Sequence, residues 1–91
     1  MLKISEISNS NNIIILKLEG KIVDLWVTEL ETQCENYLSL SDSILELDLE
    51  NVSYVSEEGI NLLNKLSDKI KLIKVQPFME LCLKSRGLKT D

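Results

Sequence analysis

Between Ile44 and Leu66 the chain changes its hydrophobic period. Leu45, Leu47 and Leu49 alternate with Glu46, Asp48 and Glu50, the period of two that marks a strand with one apolar and one wet face. A second short apolar run of Val52, Tyr54 and Val55 follows, and then Gly59, Leu62, Leu63 and Leu66 recur at i, i+3, i+4 and i+7, one stripe of an amphipathic helix. Ser56 stands where an N-cap belongs, with a hydroxyl able to accept from an otherwise unpaired amide of the first turn. Glu57 and Glu58 come next, at the positive end of the helix dipole, which favours an exposed carboxylate by about 0.3–1 kcal/mol. A strand that hands the chain to an acidic helix start is the most distinctive local feature, and a functional site is expected there.

The same reading covers the rest of the chain. Residues 1–8 alternate Leu2, Ile4 and Glu6 against Lys3, Ser5 and Ile7, a weak strand. Asn9-Ser10-Asn11-Asn12 is a turn cluster, because Asn tolerates positive φ and bonds its own backbone. Ile13 to Glu19 is the second strand, ended by Gly20, so the first two elements predict an antiparallel hairpin. From Asp24 to Leu40 the positions Val27, Leu30, Cys34, Tyr37 and Leu38 keep helical spacing. Ser41-Asp42-Ser43 breaks the pattern before the third strand. The second helix is predicted over Glu57 to Asp68 and a fourth strand over Lys69 to Val75. A last helix is predicted from Pro77, a natural first position, to Arg86, with Phe78, Leu81 and Cys82 as its buried stripe and Gly87 as a left-handed cap contacted by Leu88. The predicted fold is α/β, in the order β-β-α-β-α-β-α. It is a four-stranded mixed sheet with right-handed crossovers and helices on one face.

Composition narrows the function. Ninety-one residues, 44% of them hydrophobic, suffice for one domain with one modest core, spanning residues 1–91. A net charge of -5 argues against nucleic acid or anionic lipid as a partner, since both demand clustered Lys and Arg. Lys65, Lys69, Lys71 and Lys74 form the one basic concentration, read either as a charged outer strand that discourages edge pairing or as a binding patch. Histidine is absent, which removes the commonest general base, the usual zinc ligand and every Ser-His or Cys-His pair. No enzymatic activity, metal site or cofactor is expected. Cys34 and Cys82 lie at apolar-face spacing with no CxxC pattern, and both are expected to be reduced and buried. No apolar run reaches the roughly 18 residues of a spanning helix, nor does the start resemble a signal peptide, so the expected location is cytoplasmic.

From Ile13 onward the chain resembles the STAS domain, the module shared by sulfate transporters and bacterial anti-sigma factor antagonists. Leu16-Lys17-Leu18-Glu19-Gly20 is similar to the strand and glycine that open the family pattern, and Leu30 falls at the spacing of its first helix leucine. Leu47-Asp48-Leu49 followed by Val52-Ser53-Tyr54-Val55 resembles the third strand and its continuation. Gly59 and Leu63 match the glycine and leucine after the signature loop, and Arg86-Gly87-Leu88 resembles the closing Gly-Leu. The agreement in spacing over most of the chain carries the resemblance, because each motif alone is weak.

The resemblance implies a non-catalytic regulatory module for protein–protein interaction in signal transduction and transcription regulation. Its partner class would be a kinase-like anti-sigma factor. The alternatives are the STAS subunit of a lipid-transport ABC complex docked on the transporter ATPase, and a small-molecule or nucleotide-binding STAS domain. No Gly-rich phosphate cradle supports the last of these. In phosphorylatable members the signature loop reads Asp-Ser-Ser-Gly or Asp-Ser-Thr-Gly, and the residue after the Asp accepts phosphate. Here those positions are Ser56-Glu57-Glu58-Gly59, so no phosphorylation is expected at the usual position, and Ser56 is a poor candidate because it stands one residue early in the capping role. Glu57 has two readings. One carboxylate at a helix start partly imitates phosphoserine, whose charge is about -1.5 to -2 at pH 7, or Glu57 is simply a favourable cap-adjacent residue. The partner-binding residues are expected to be Ser56, Glu57, Glu58, Gly59, Asn61 and Leu62. Trp26, ahead of the first helix stripe, reads either as a contact anchor or as cover for the sheet edge.

Overall fold

The computed structural model describes residues 1–40 and 42–85. Seven elements follow in the expected order: β1 (Leu2–Ser10), β2 (Ile13–Ile22), α1 (Leu25–Leu40), β3 (Ile44–Val55), α2 (Glu57–Leu66), β4 (Ile70–Ile73) and α3 (Pro77–Ser85). They form one four-stranded sheet in the order β1-β2-β3-β4. β1 and β2 are antiparallel, whereas β2–β3 and β3–β4 are parallel. Both crossovers step the same way across the sheet, so right-handed connections put α1 and α2 on the same face. The expected Gly87 cap and the closing Arg86-Gly87-Leu88 lie outside the described residues.

The hairpin is tighter than the four-residue turn cluster suggests. Asn11 and Asn12 alone form the turn, with φ of 54° and 63°, the paired left-handed conformation of a two-residue type I′ loop that matches strand twist. β1 therefore runs on to Ser10, interrupted by a bulge between Glu6 and Ser8. Gly20 does not end β2. It sits inside the strand at φ 112°, where an added Cβ would lie 2.3 Å from the Met1 carbonyl oxygen. The strand continues to Ile22, which is fully buried. β4 is shorter than predicted, with four residues paired to Leu45 through Asp48 of β3.

One core takes Ile14, Leu16, Leu18 and Ile22 from β2, Leu45, Leu47, Leu49 and Val52 from β3, and inward residues from all three helices. Leu30 and Cys34 anchor α1, with Trp26, Val27, Tyr37 and Leu38 packed at the edge of the cluster; Trp26 thus covers the core margin. The opposite face of the sheet is laced with oppositely charged neighbours, Lys3 beside Glu19, Lys17 beside Asp48 and Glu46 beside Lys71, an arrangement suited to water. Asp48 departs from its expected place on a wet face, because its carboxylate is buried. Its charge is met by Lys74 Nζ at 3.6 Å and by the Glu50 backbone amide at 3.0 Å, as a buried carboxylate requires. Three of the four lysines lie beside acids: Lys65 is paired with Glu31, Lys74 with Asp48 and Glu50, and Lys71 neighbours Glu46 across the sheet.

The phase of α3 corrects the sequence reading. Met79 and Leu83 are its buried residues, whereas Phe78, Leu81 and Cys82 are exposed. Both sets fit helical spacing, and the packing selects the one shifted by a single position. Cys34 is buried as expected, and neither cysteine forms a disulfide. Burial pushes the Cys34 thiol up to about 12, with the Glu35 and Glu31 carboxylates adding to the shift. A thiol reagent at pH 8 is thus expected to label the native protein at Cys82 within minutes and at Cys34 only through unfolding; fast modification of both thiols contradicts this packing. The raised Cys34 pKa carries a pH sign as well. Its contribution to stability is complete below the ordinary value of 9.0 and is lost as the pH climbs toward 12.

Candidate functional site

All three helices start at the carboxyl end of the parallel strands, the edge where open α/β sheets place their sites. β3 reaches that edge by an unusual route. Between the pairs Lys17–Asp48 and Glu19–Asn51 it advances three residues while β2 advances two, and between Gly20–Val52 and Lys21–Tyr54 it advances two for one. These bulges explain why the inward residues pass from odd positions (Leu45, Leu47, Leu49) to Val52. Past the end of β4, the Gln76 side-chain amide takes over on that side of β3. It donates to the carbonyls of Leu49, Glu50 and Val52 at 3.1, 2.8 and 2.5 Å.

Ser56 joins strand to helix as expected. Its amide donates to the Ile22 carbonyl at 3.0 Å, its carbonyl accepts from Ile60 N–H at 2.9 Å, and its hydroxyl oxygen accepts from Gly59 N–H at 3.1 Å. Its φ of -72° and ψ of 169° are the extended conformation of an N-cap. Gly59 is buried because α2 packs directly on the strand ends. A Cβ there would lie 2.7 Å from Val55 Cγ1 and 3.1 Å from both Ile22 Cγ2 and the Ile22 carbonyl oxygen.

The six residues expected to bind a partner divide by exposure. Glu57, Glu58 and Asn61 are exposed and Ser56 is half-buried, whereas Gly59 and Leu62 face the core. Glu58, Asn61, Leu62 and Lys65 of α2 border a shallow groove of about 270 Å³, with Val27 and Glu31 of α1 on its other side. Lys65 Nζ spans that groove to Glu31 Oε2 at 2.5 Å, and this hydrogen bond raises the lysine's pKa. The sequence reading missed the exposure of Leu25, Tyr54 and Phe78, which are 83%, 51% and 41% exposed. Among the described residues no group of His, Cys, Asp and Glu is placed to hold a metal ion, and no helix is long and apolar enough to cross a membrane.

Solved structures share this architecture. An anti-sigma factor antagonist from Mycobacterium paratuberculosis superposes with a TM-score of 0.82 at 16% identity, covering 97% of this chain and 80% of that one. The anti-sigma factor antagonist SpoIIAA in its unphosphorylated form gives 0.73 at 11% identity, over 90% of this chain and 82% of that one. A DUF3478 family protein with a SpoIIAA-like fold from Shewanella loihica gives 0.59 at 14% identity, over 94% and 76%. At these identities the likeness establishes the fold. No curated protein sequence matches the chain. The STAS domain family model matches residues 5–83, which takes in most of β1, all of β2 to β4, the Ser56 cap and most of α3, and the chain therefore belongs to the STAS domain family.

Proposed function

We propose that this protein is a non-catalytic regulatory STAS module of the anti-sigma factor antagonist type, acting in the cytoplasm. It docks the Ser56 loop and α2 on a kinase-like anti-sigma factor and is not phosphorylated at the usual position. The observation that carries this reading is the state of the loop. The position after the cap holds Glu57, which has no hydroxyl, while the one hydroxyl of the loop, on Ser56, is held by the Gly59 amide as a helix cap. The exposed carboxylates of Glu57 and Glu58 remain as the polar contacts that the loop offers a partner.

Incubation with a co-encoded kinase-like anti-sigma factor and ATP is expected to leave the mass of the wild-type protein unchanged. The double variant Ser56→Asp/Glu57→Ser restores the family's loop, keeps an acid at the cap and supplies an acceptor, so it is expected to gain one phosphate. Stoichiometric phosphate on Ser56 of the wild type overturns the reading. Calorimetry with the same partner then separates the two roles of Glu57. Equal affinity of both proteins makes Glu57 a cap-adjacent residue, whereas a gain of about 1–3 kcal/mol in the variant makes it a phosphoserine imitation whose carboxylate opposes docking.

A further inference from the structure

The two edges of the sheet are unlike. β4 has four residues, lies among Lys69, Lys71 and Lys74, and is followed directly by Lys74 at a φ of 55°. Short length and lysines are devices that keep an edge strand from pairing. β1 has nine residues and a single lysine, Lys3. Its bulge comes only after Glu6, so the stretch from Leu2 to Glu6 is regular. The Lys21 amide donates to the Met1 carbonyl at 3.0 Å, which sets the alternation of the β1–β2 ladder. In an antiparallel pair every second residue exchanges both of its backbone bonds with the residue opposite, so Met1, Lys3 and Ser5 turn theirs toward β2. Leu2, Ile4 and Glu6 turn theirs outward, where no described strand pairs with them.

We propose that this stretch pairs with the same stretch of a second copy, antiparallel and centred on Ile4, joining two four-stranded sheets edge to edge. The proposal goes beyond the functional reading and does not rest on it. Register selects the occupant. With Ile4 opposite the second copy's Ile4, Leu2 faces the second copy's Glu6, and every outward N–H and C=O of the stretch gains a bond. Ile4 lies on the helix face beside Leu18 of β2 and is only half-buried, at the margin of the core; the second isoleucine covers its open side. On the other face Lys3 meets the second copy's Ser5 and keeps Glu19 as its neighbour on β2. A shifted centre loses this fit. Centred on Lys3, two lysines stand directly opposite each other; centred on Ser5, Leu2 comes opposite Ser8, beyond the bulge, and its bonds are lost. Because β4 is guarded, β1 meets β1 and the assembly closes as a two-fold dimer, whereas β1 on β4 would grow into a filament. A contact built on so short a stretch is at the small end of specific interfaces, so the dimer is reversible and needs concentrated protein.

The test follows sedimentation and residue-resolved amide exchange of the whole chain from about 10 µM to about 1 mM. A dimer is expected to appear over this range, and the Leu2, Ile4 and Glu6 amides are expected to slow about threefold or more while those of Lys3 and Ser5, already bonded to β2, do not change. Ser5→Glu places a carboxylate between Lys17 of its own chain and Lys3 of the second copy, and is expected to tighten the dimer about fivefold with an unchanged circular dichroism spectrum. Ile4→Lys sets two ammonium groups against each other at the centre and is expected to abolish pairing. A chain that stays monomeric up to about 1 mM, protection confined to another element, a dimer indifferent to Ser5→Glu or surviving Ile4→Lys, or a series of species larger than a dimer each overturn the proposal. Slowing of the same amides only when an unrelated strand-forming peptide is added also overturns it, and makes the edge a site for another protein's strand.

Discussion

Substitution of Gly59 by valine is expected to destabilise the protein by about 3 kcal/mol, and by alanine about 1–2 kcal/mol, both measured by denaturant unfolding. The sign is what makes the pair informative. In an exposed helix interior Gly→Ala stabilises by about 1 kcal/mol, so net destabilisation by the smallest side chain has to come from packing. The first methyl meets Val55 Cγ1 at 2.7 Å and the Ile22 carbonyl oxygen at 3.1 Å. Val55 can rotate, but the Ile22 carbonyl is fixed by its bond from the Ser56 amide. α2 must therefore lift off the strand ends, and the cap geometry of Ser56 moves with it. Valine adds two further methyls to the same space and removes the option of a small adjustment. A neutral or stabilising Gly59→Ala would show that α2 is free to move and that the loop is not held against β2.

The elements that were legible in the sequence are those whose local and long-range requirements coincide. α2 is the clearest case: cap, acidic first turn and apolar stripe all assign the same start, and Gly59, Leu62, Leu63 and Leu66 are buried as their spacing predicts. β3 was legible as a strand but not as a bulged one, because a slip in register is decided by the neighbouring strand. The buried Asp48 was hidden for a related reason, since alternation places it on the wet face and its ion-pair partner Lys74 comes from the loop after β4. In α3 two apolar sets overlap, Phe78, Leu81 and Cys82 against Met79 and Leu83, and periodicity cannot choose between stripes of comparable apolar content. That ambiguity also hid the exposure of Phe78 and Leu81, which were assigned to the core. The capping role of Ser56 was readable from its position, whereas the exposure of Leu25 and Tyr54 was not.

Gln76 offers the second large effect. Three backbone carbonyls converge on its side-chain nitrogen, and only a donor can face three acceptors, which fixes the orientation of the amide. The bulged stretch of β3 beyond β4 thereby gains the partner that a longer fourth strand would have supplied, and α3 is tied to the strand that carries Tyr54 and Ser56. Gln76→Glu keeps the size of the side chain and turns the donor into an acceptor. At pH 7 it is expected to cost about 2–3 kcal/mol, against about 1–2 kcal/mol for Gln76→Ala, which leaves the carbonyls to water. The pH dependence separates the two. A carboxyl facing carbonyl oxygens has its folded-state pKa raised above the ordinary Glu value of about 4.3, so the native state holds its proton to higher pH than the unfolded chain. The protonated acid donates one hydrogen bond. Its contribution is complete below the unfolded value and is lost as the pH rises through the raised one. The stability gap between Gln76→Glu and Gln76→Ala is thus expected to narrow or reverse as the pH is lowered from 7 to 4, with faster amide exchange at residues 74–79 in both variants at neutral pH. A gap that stays constant with pH would mean that the side chain at this position does not face the β3 carbonyls, and with that the tie between β3 and the start of α3 would be lost.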